Sequence, residues 1–393
     1  MEQNSSAYIL FRDDLARTSR LLADPIEIVV ARTVDEVIPA LQRLEEHRKS
    51  GKWLAGYLAY EAGFAFEEKL VPLAPVGRET PLICMGVFDA PCEESDPRLF
   101  PPDEPVSRGM LSEPCAAWDE QTYASRFGVL HDHLRKGDCF QGNLTMPITA
   151  RWTGDAKTLF WSLIERQPVR YGALAELGGL AEPGSPAVVS RSPELFFSVD
   201  EEGWIETHPM KGTAARGASP AEDEAIKAGM LADEKTLAEN RMIVDLLRND
   251  ISRITEAGTL SVPKLFDIET YPTVHQMVSH VRAKLLPEAG LPEIMRALFP
   301  CGSITGAPKL SAMTILQKLE AGPRDVYCGA IGWCDPAGRM RFSVAIRTIS
   351  LFSDGRAVFN VGGGIVFDSV QEAEYEECLL KARFAVGDQW ISR

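Results

Sequence analysis

The run YCGAIGWCDPAGRMRFSVAIRTISLFSDGRAVFNVGGG, residues 327–364, restricts the fold more than any other stretch. It reads as a meander of three strands, and a meander is an antiparallel sheet that must cover one face. IEIVVA (26–31) and CFQGNLTMPITARW (139–152) also read as strands. AVVSRSPELFFSVDEEGWIETHPMKGT (187–213) reads as a hairpin turning at Glu201-Glu202-Gly203. Helical patterns lie between them. VDEVIPALQRLEEHRKSG (34–51) is one, and Asp119 caps another whose apolar residues Tyr123, Phe127, Leu130 and Leu134 keep the 3.6 period until Gly137. Further helices are predicted over about 231–252, from Pro308 to Leu319, and from Ser369, where Ser369-Val-Gln-Glu372 has the form of a capping box. The expected class is mixed α/β (α+β).

With 393 residues, 45% of them hydrophobic, the chain has ample core. Residues 90–114, APCEESDPRLFPPDEPVSRGMLSEP, are rich in proline and acid and lack periodicity. They divide an N-terminal α/β segment (1–90) from the main body (115–393) by a loop (91–114), yet composition changes too little across it to make two independent units. The net charge of −15 argues against nucleic acid or anionic membrane as partner. The eight cysteines form no CxxC pair, the start MEQNSSAYILFRDD has no signal-peptide pattern, and no apolar run approaches membrane-spanning length. A cytoplasmic protein with reduced thiols is expected.

Several polar residues stand where apolar ones are expected. Glu239 precedes Ile243 and Leu246 by four and seven positions, on one helical stripe. A carboxylate there either sits exposed at the helix start or has a cation or metal beside it. Glu374, Glu377 and Lys381 share another helical face, as a solvated charge ladder or as two Mg²⁺ ligands beside a lysine that binds an anion. Just before them, Gly362, Gly363 and Gly364 expose backbone N–H groups, in a simple turn or an anion cradle. CGSITGAPK (301–309) is a second loop with hydroxyls leading into a helix, and Arg347 lies within an apolar strand, needing an acid or a substrate anion. In HPMKGT, Lys211 is either a turn residue or a nucleophile facing a pocket. Together these suit a small dianionic substrate and not a nucleotide, since no GxxxxGK[ST] or Rossmann spacing is present.

RSPELFF, HPMKGT, AENRMIVDLLRNDISRI, YPTVHQMVSHV, FPCGSITGAPKLSAM, YCGAIGW, AIRT and GGGIVFDSVQEAEYEE, in order between about Trp118 and Arg383, closely resemble the chorismate-utilising enzymes. The resemblance implies an anthranilate-synthase-like sandwich of two sheets with helices outside, the N-terminal segment woven into one unit. It implies Mg²⁺ held by Glu239, Glu377 and Glu374. It implies chorismate bound by Thr305, Tyr327, Arg347, Lys381 and the backbone of Gly362, Gly363 and Gly364, with Glu194 and His275 as acid and base near the departing 4-hydroxyl. The lysine of HPMKGT marks the aminodeoxychorismate-forming branch, where it is proposed to attack C2. Anthranilate synthases carry a small residue there. Gln141 stands where isochorismate and salicylate synthases carry a water-activating lysine, which argues against water addition. No glutamine amidotransferase segment is recognisable, so a separate glutaminase subunit is the expected ammonia source. The alternatives are component I of an anthranilate synthase and a non-catalytic chorismate-binding relative.

Overall fold

A computed structural model describes residues 7–102, 110–177, 184–271, 274–387 and 391. Strands β1 (Tyr8–Asp13) and β2 (Thr18–Ala23) form a hairpin, and β3 (Glu27–Ala31) leads into helix α1 (Val34–Lys49). Then come β4 (Trp53–Leu58), β5 (Ile83–Phe88), β6 (Met110–Ala116), α2 (Glu120–Lys136), β7 (Gln141–Thr153) and α3 (Ala156–Arg166). The middle of the chain holds β8 (Tyr171–Glu176), β9 (Ala187–Ser192), β10 (Leu195–Val199), β11 (Trp204–Thr207) and β12 (Met210–Ala215). Helices α4 (Pro220–Ala232) and α5 (Glu234–Ser252) precede β13 (Ser261–Thr270), β14 (Val274–Lys284) and α6 (Leu291–Leu298). The last part is β15 (Gly306–Ala307), α7 (Lys309–Leu319), β16 (Ala330–Cys334), β17 (Met340–Val344), β18 (Thr348–Leu351), β19 (Arg356–Ile365) and α8 (Gln371–Val386).

Two antiparallel sheets result. One runs β15-β7-β19-β18-β9-β8-β1-β2, with β6 also on β7. The other runs β12-β14-β11-β10-β17-β16-β4-β5-β3, with β13 also on β14. Ile9, Leu22, Ala173 and Val188 of the first pack against Ala55, Tyr57, Cys84 and Ile331 of the second, forming the layer between the sheets. The outer face of the first sheet packs under α2, α3, α7 and α8, and that of the second under α1, α5 and α6. The expected sandwich with outer helices is present, and the N-terminal strands contribute to both sheets.

Helix α2 follows its sequence closely. Asp119 accepts a hydrogen bond from the Thr122 N–H at 2.8 Å, and Gly137 ends the helix at φ 77°. Tyr123, Phe127, Leu130 and Leu134 are buried. The cap stabilises by about 1 kcal/mol.

Elsewhere the structure corrects the reading. The stretch taken as a three-strand meander contains four strands, and β16–β17 lie in one sheet while β18–β19 lie in the other. The 187–213 stretch also changes sheets: β9 belongs to the first, and only β10–β11 form the hairpin. The chain crosses at Pro193-Glu194 and again at Ala345–Arg347, where Arg347 takes φ 51°. The last residues of the expected 91–114 loop form β6, while 103–109 lie outside the described residues. The helix expected over 231–252 is broken at Asp233, which caps α5 through the Lys235 N–H. The Ser369–Glu372 capping box is absent, because the Ser369 hydroxyl donates to Glu374 Oε1 at 2.7 Å instead.

Candidate functional site

The glycines of β19 explain where the site lies. They form no turn: Gly362, Gly363 and Gly364 pair in register with Thr145, Leu144 and Asn143 of β7. What they provide is room. A Cβ on Gly363 would stand 2.9 Å from Glu374 Oε2 and 3.9 Å from Lys381 Nζ. On Gly364 it would meet the Gln141 amide at 3.0 Å and Lys211 Nζ at 3.3 Å. Contacts under 3.4 Å force a neighbour to move, so the bare strand lets α8, β7 and β12 bring polar groups to one place.

Lys211 enters from β12, in the second sheet. Burial pulls its amine below the ordinary lysine value, against the pull of Glu239, Glu194 and Glu377, while Lys381 adds to the lowering. Among the described residues the amine has no hydrogen-bond or ion-pair partner, unlike a lysine held in a structural salt bridge.

Glu194 stands at the crossover between β9 and β10 and is buried, 6% exposed. Burial pushes its carboxyl up to about 7, while the Ser303 hydroxyl, donating to Oε1 at 2.7 Å, and Lys211 pull it down. Near neutrality it is poised between proton donor and acceptor. Ser303 is a residue that sequence reasoning missed, although its loop had been noted for its hydroxyls. The Gln141 amide, fully buried, has neither Oε1 nor Nε2 satisfied within the described protein.

The acids arrive from two helices. Glu239 on α5 is partly buried, with Ile243 below it buried and Leu246 half-buried. On α8, Glu377 is exposed and pairs with Lys381 at 2.7 Å, the ladder its spacing allowed. Lys381 also donates to the Gly362 carbonyl at 2.8 Å, tying the helix to the glycine strand. Glu374 is partly buried, and burial followed by the Glu377 charge raises its carboxyl above the usual range against the Ser369 hydrogen bond. Among the described residues no three acid, histidine or cysteine side chains converge as a ready-made metal cluster. The donor chemistry is nevertheless that of a hard cation, and added positive charge would relieve the raised Glu374 carboxyl.

Three other expected residues, His275, Thr305 and Tyr327, are engaged elsewhere. His275 is fully buried and both its ring nitrogens are engaged, Nε2 with Asp223 Oδ1 at 2.9 Å and Nδ1 with the Thr270 hydroxyl at 3.0 Å. Asp223 is in turn bonded to Arg216, which with His275 holds it well below the usual carboxylate range. His275 thus belongs to a structural network. Its neighbour Gln276, on the opposite face of β14, bonds the lysine strand through its side chain, donating to the Gly212 carbonyl at 2.8 Å and accepting from the Thr213 hydroxyl at 2.6 Å. The Thr305 hydroxyl is spent on the Cys301 carbonyl at 3.0 Å, and the residue is fully buried. Tyr327 borders a separate cavity of 210 Å³ with Arg324, Thr348 and Asn360, and none of the lysine–glutamate cluster lines it. Arg347 has no acidic partner among the described residues, and burial pulls its guanidinium down. The structural ion pair considered for it is absent, which leaves its charge for an anion.

The chain matches the family described as chorismate binding enzyme over residues 8–387. It is 37% identical over 341 residues to aminodeoxychorismate synthase component 1 of Klebsiella aerogenes, covering 82% of this chain and 74% of that one. The relative of the same description from Escherichia coli (strain K12) is 40% identical over 257 residues, 65% of this chain and 55% of that one. Among solved structures, anthranilate synthase component I from Streptococcus pneumoniae TIGR4 superposes with TM-score 0.78 at 26% identity, covering 98% of this chain and 93% of that one.

Proposed function

Because the chain belongs to the chorismate-binding enzymes, we propose that it aminates chorismate to 4-amino-4-deoxychorismate, as component I of an aminodeoxychorismate synthase, on the route to 4-aminobenzoate and folate. One observation carries this reading: a partly buried, unpaired Lys211 amine beside the glycine strand, within the field of buried Glu194.

Loss of the C4 hydroxyl needs a proton, and the Glu194 carboxyl supplies it so that water departs. As the C4–O bond breaks, the neutral Lys211 amine forms a bond to C2 and both ring double bonds shift, from C1–C2 and C5–C6 to C1–C6 and C4–C5. Ammonia then adds at C4 and expels the lysine from C2 by the reverse shift. The surplus proton on the new ammonium returns to the Glu194 carboxylate through solvent, so chorismate and ammonia become product and water. Gln141 offers an amide to substrate or ammonia but no base for water. Arg347 supplies a cation for a substrate carboxylate.

Glu239, Glu374 and Glu377 would hold Mg²⁺, which supplies positive charge for the ring carboxylate. Lys381, now paired with Glu377 and bonded to the Gly362 carbonyl, would stand beside that ion as a cation for the substrate. Ammonia comes from a separate glutamine amidotransferase subunit, as the "component 1" naming of the relatives suggests. A cytoplasmic site fits the eight free cysteines, and no helix among the described residues is long and apolar enough to cross a membrane.

The test is product identity. Incubation with chorismate, Mg²⁺ and excess ammonium, followed by liquid chromatography and mass spectrometry, is expected to give aminodeoxychorismate. Anthranilate as the product would overturn the reading.

A further inference from the structure

Lys211 lies on an irregular strand. Met210 pairs with Val278 and Thr213 with Gln276, so β12 takes three steps where β14 takes two, and Lys211 and Gly212 together oppose Met277. This is a β-bulge, which disrupts the ladder locally and re-aims the side chain it carries. Gly212 takes φ 84°, in the left-handed region that favours glycine. A Cβ there would also stand 2.4 Å from Thr236 Cγ2, in the first turn of α5, the helix that carries Glu239.

The Gln276 side chain holds this bulge at two points. Its Nε2 donates to the Gly212 carbonyl at 2.8 Å, and its Oε1 accepts from the Thr213 hydroxyl at 2.6 Å. Both ends of the amide are therefore engaged on adjacent residues of one strand. The lysine amine, in contrast, has no hydrogen-bond or ion-pair partner among the described residues. No polar contact of its own fixes its direction, so its aim comes from the backbone that carries it and from the packing of its stem. That aim is narrow, because a Cβ on Gly364 would already stand 3.3 Å from Nζ.

We propose that Gln276 is a positioning residue for the amination: its amide locks the Lys211–Gly212 bulge and so keeps the Lys211 amine beside the bare glycines of β19. Its part in the reaction rests on the proposed attack of Lys211 on the substrate. A slip of β12 by one residue would close the bulge, and such a slip turns side chains to the opposite face of the sheet. The amine would then leave Gly364. Even a smaller shift matters, since a displacement of about 1 Å can cost about 10²-fold in rate.

Two variants test this. Gln276→Met keeps the length of the side chain and removes both bonds, and Gln276→Asn keeps the amide but is one methylene too short to reach Gly212. The first readout needs no chorismate. Trace acetic anhydride competes for the lysines of the resting chain, and peptide mass spectrometry gives the acetylation of Lys211 relative to Lys49, which is 67% exposed. Each variant that melts above the assay temperature is expected to change this ratio by about threefold or more at pH 8, because the amine is no longer held in its partly buried place. A ratio equal to the native one would overturn the proposal, whatever the chain does to chorismate. The second readout is ammonium-dependent amination, where kcat should fall by about 10–10²-fold while the chorismate KM stays within about threefold. A native kcat, or a change confined to KM, would also overturn it. If the acetylation ratio changes but the native chain forms no aminated product, Gln276 still positions Lys211 and the reaction reading fails.

Discussion

Above neutral pH Glu194, pushed up to about 7, progressively loses the proton that the departing hydroxyl needs. Lys211 works in the opposite sense, since only its neutral form attacks, and burial favours that form. The expected kcat/KM profile for ammonium-dependent amination is a bell whose descending limb belongs to Glu194. Glu194→Gln should lower kcat by about 10²–10⁴ and remove that limb, as steady-state rates across pH 6–9 would show. Ser303→Ala removes the hydrogen bond that favours the charged form, so the limb should move to higher pH while the fold is kept. Lys211 was legible in the sequence as a lone lysine that a turn or a pocket could explain, whereas Glu194 came only from the family resemblance of RSPELFF. The setting of His275 was not legible. Its ring and the Gln276 amide are adjacent letters on opposite faces of β14, and only the folded packing determines which of them bonds the lysine strand through its side chain.

Helix α8 and strand β19 meet through bare backbone, so the glycines are a test at the scale of elements. Gly363→Ala places a methyl 2.9 Å from Glu374 Oε2, and Gly364→Ala places one 3.0 Å from the Gln141 amide. Neither glycine has a positive φ, so circular dichroism should be unchanged while activity falls at least tenfold. The sequence leaves these residues as a turn or an anion cradle, and glycine is depleted in strands. Ten residues of β7 pairing override that preference, and no local pattern announces such a partner. The sheet changes at Pro193-Glu194 and Ala345–Arg347 were invisible for the same reason. Period-two alternation identifies a strand but not the sheet it joins. Helix α2, with its cap, stripe and closing glycine all local, was legible from end to end.

The Arg324–Glu320 pair belongs to the whole molecule, since it ties α7 to the β7 backbone and to the loop carrying Ser303. Arg324→Met leaves the Glu320 charge buried without a cation, with only the Thr145 N–H and hydroxyl among the described residues to bond it, and should cost about 3–5 kcal/mol in urea unfolding. Global stability should also fall with rising pH. Glu194 and Glu61 have folded values of about 7 and about 8, above the ordinary carboxylate value of 4.5, so the native state holds more protons than the unfolded one across that interval. Unfolding free energy at pH 5 should exceed that at pH 8.5, and Glu61→Gln should flatten the difference. The central claim is that Lys211 forms a bond to the substrate. Acid quench of the enzyme during turnover with chorismate and Mg²⁺, with ammonia withheld, followed by peptide mass spectrometry, tests it most directly. The account predicts that the Lys211 peptide gains the mass of chorismate less one water, a gain absent from Lys211→Ala. An unmodified Lys211 peptide, together with Lys211→Ala aminating chorismate at the native rate once ammonia is added, would contradict it.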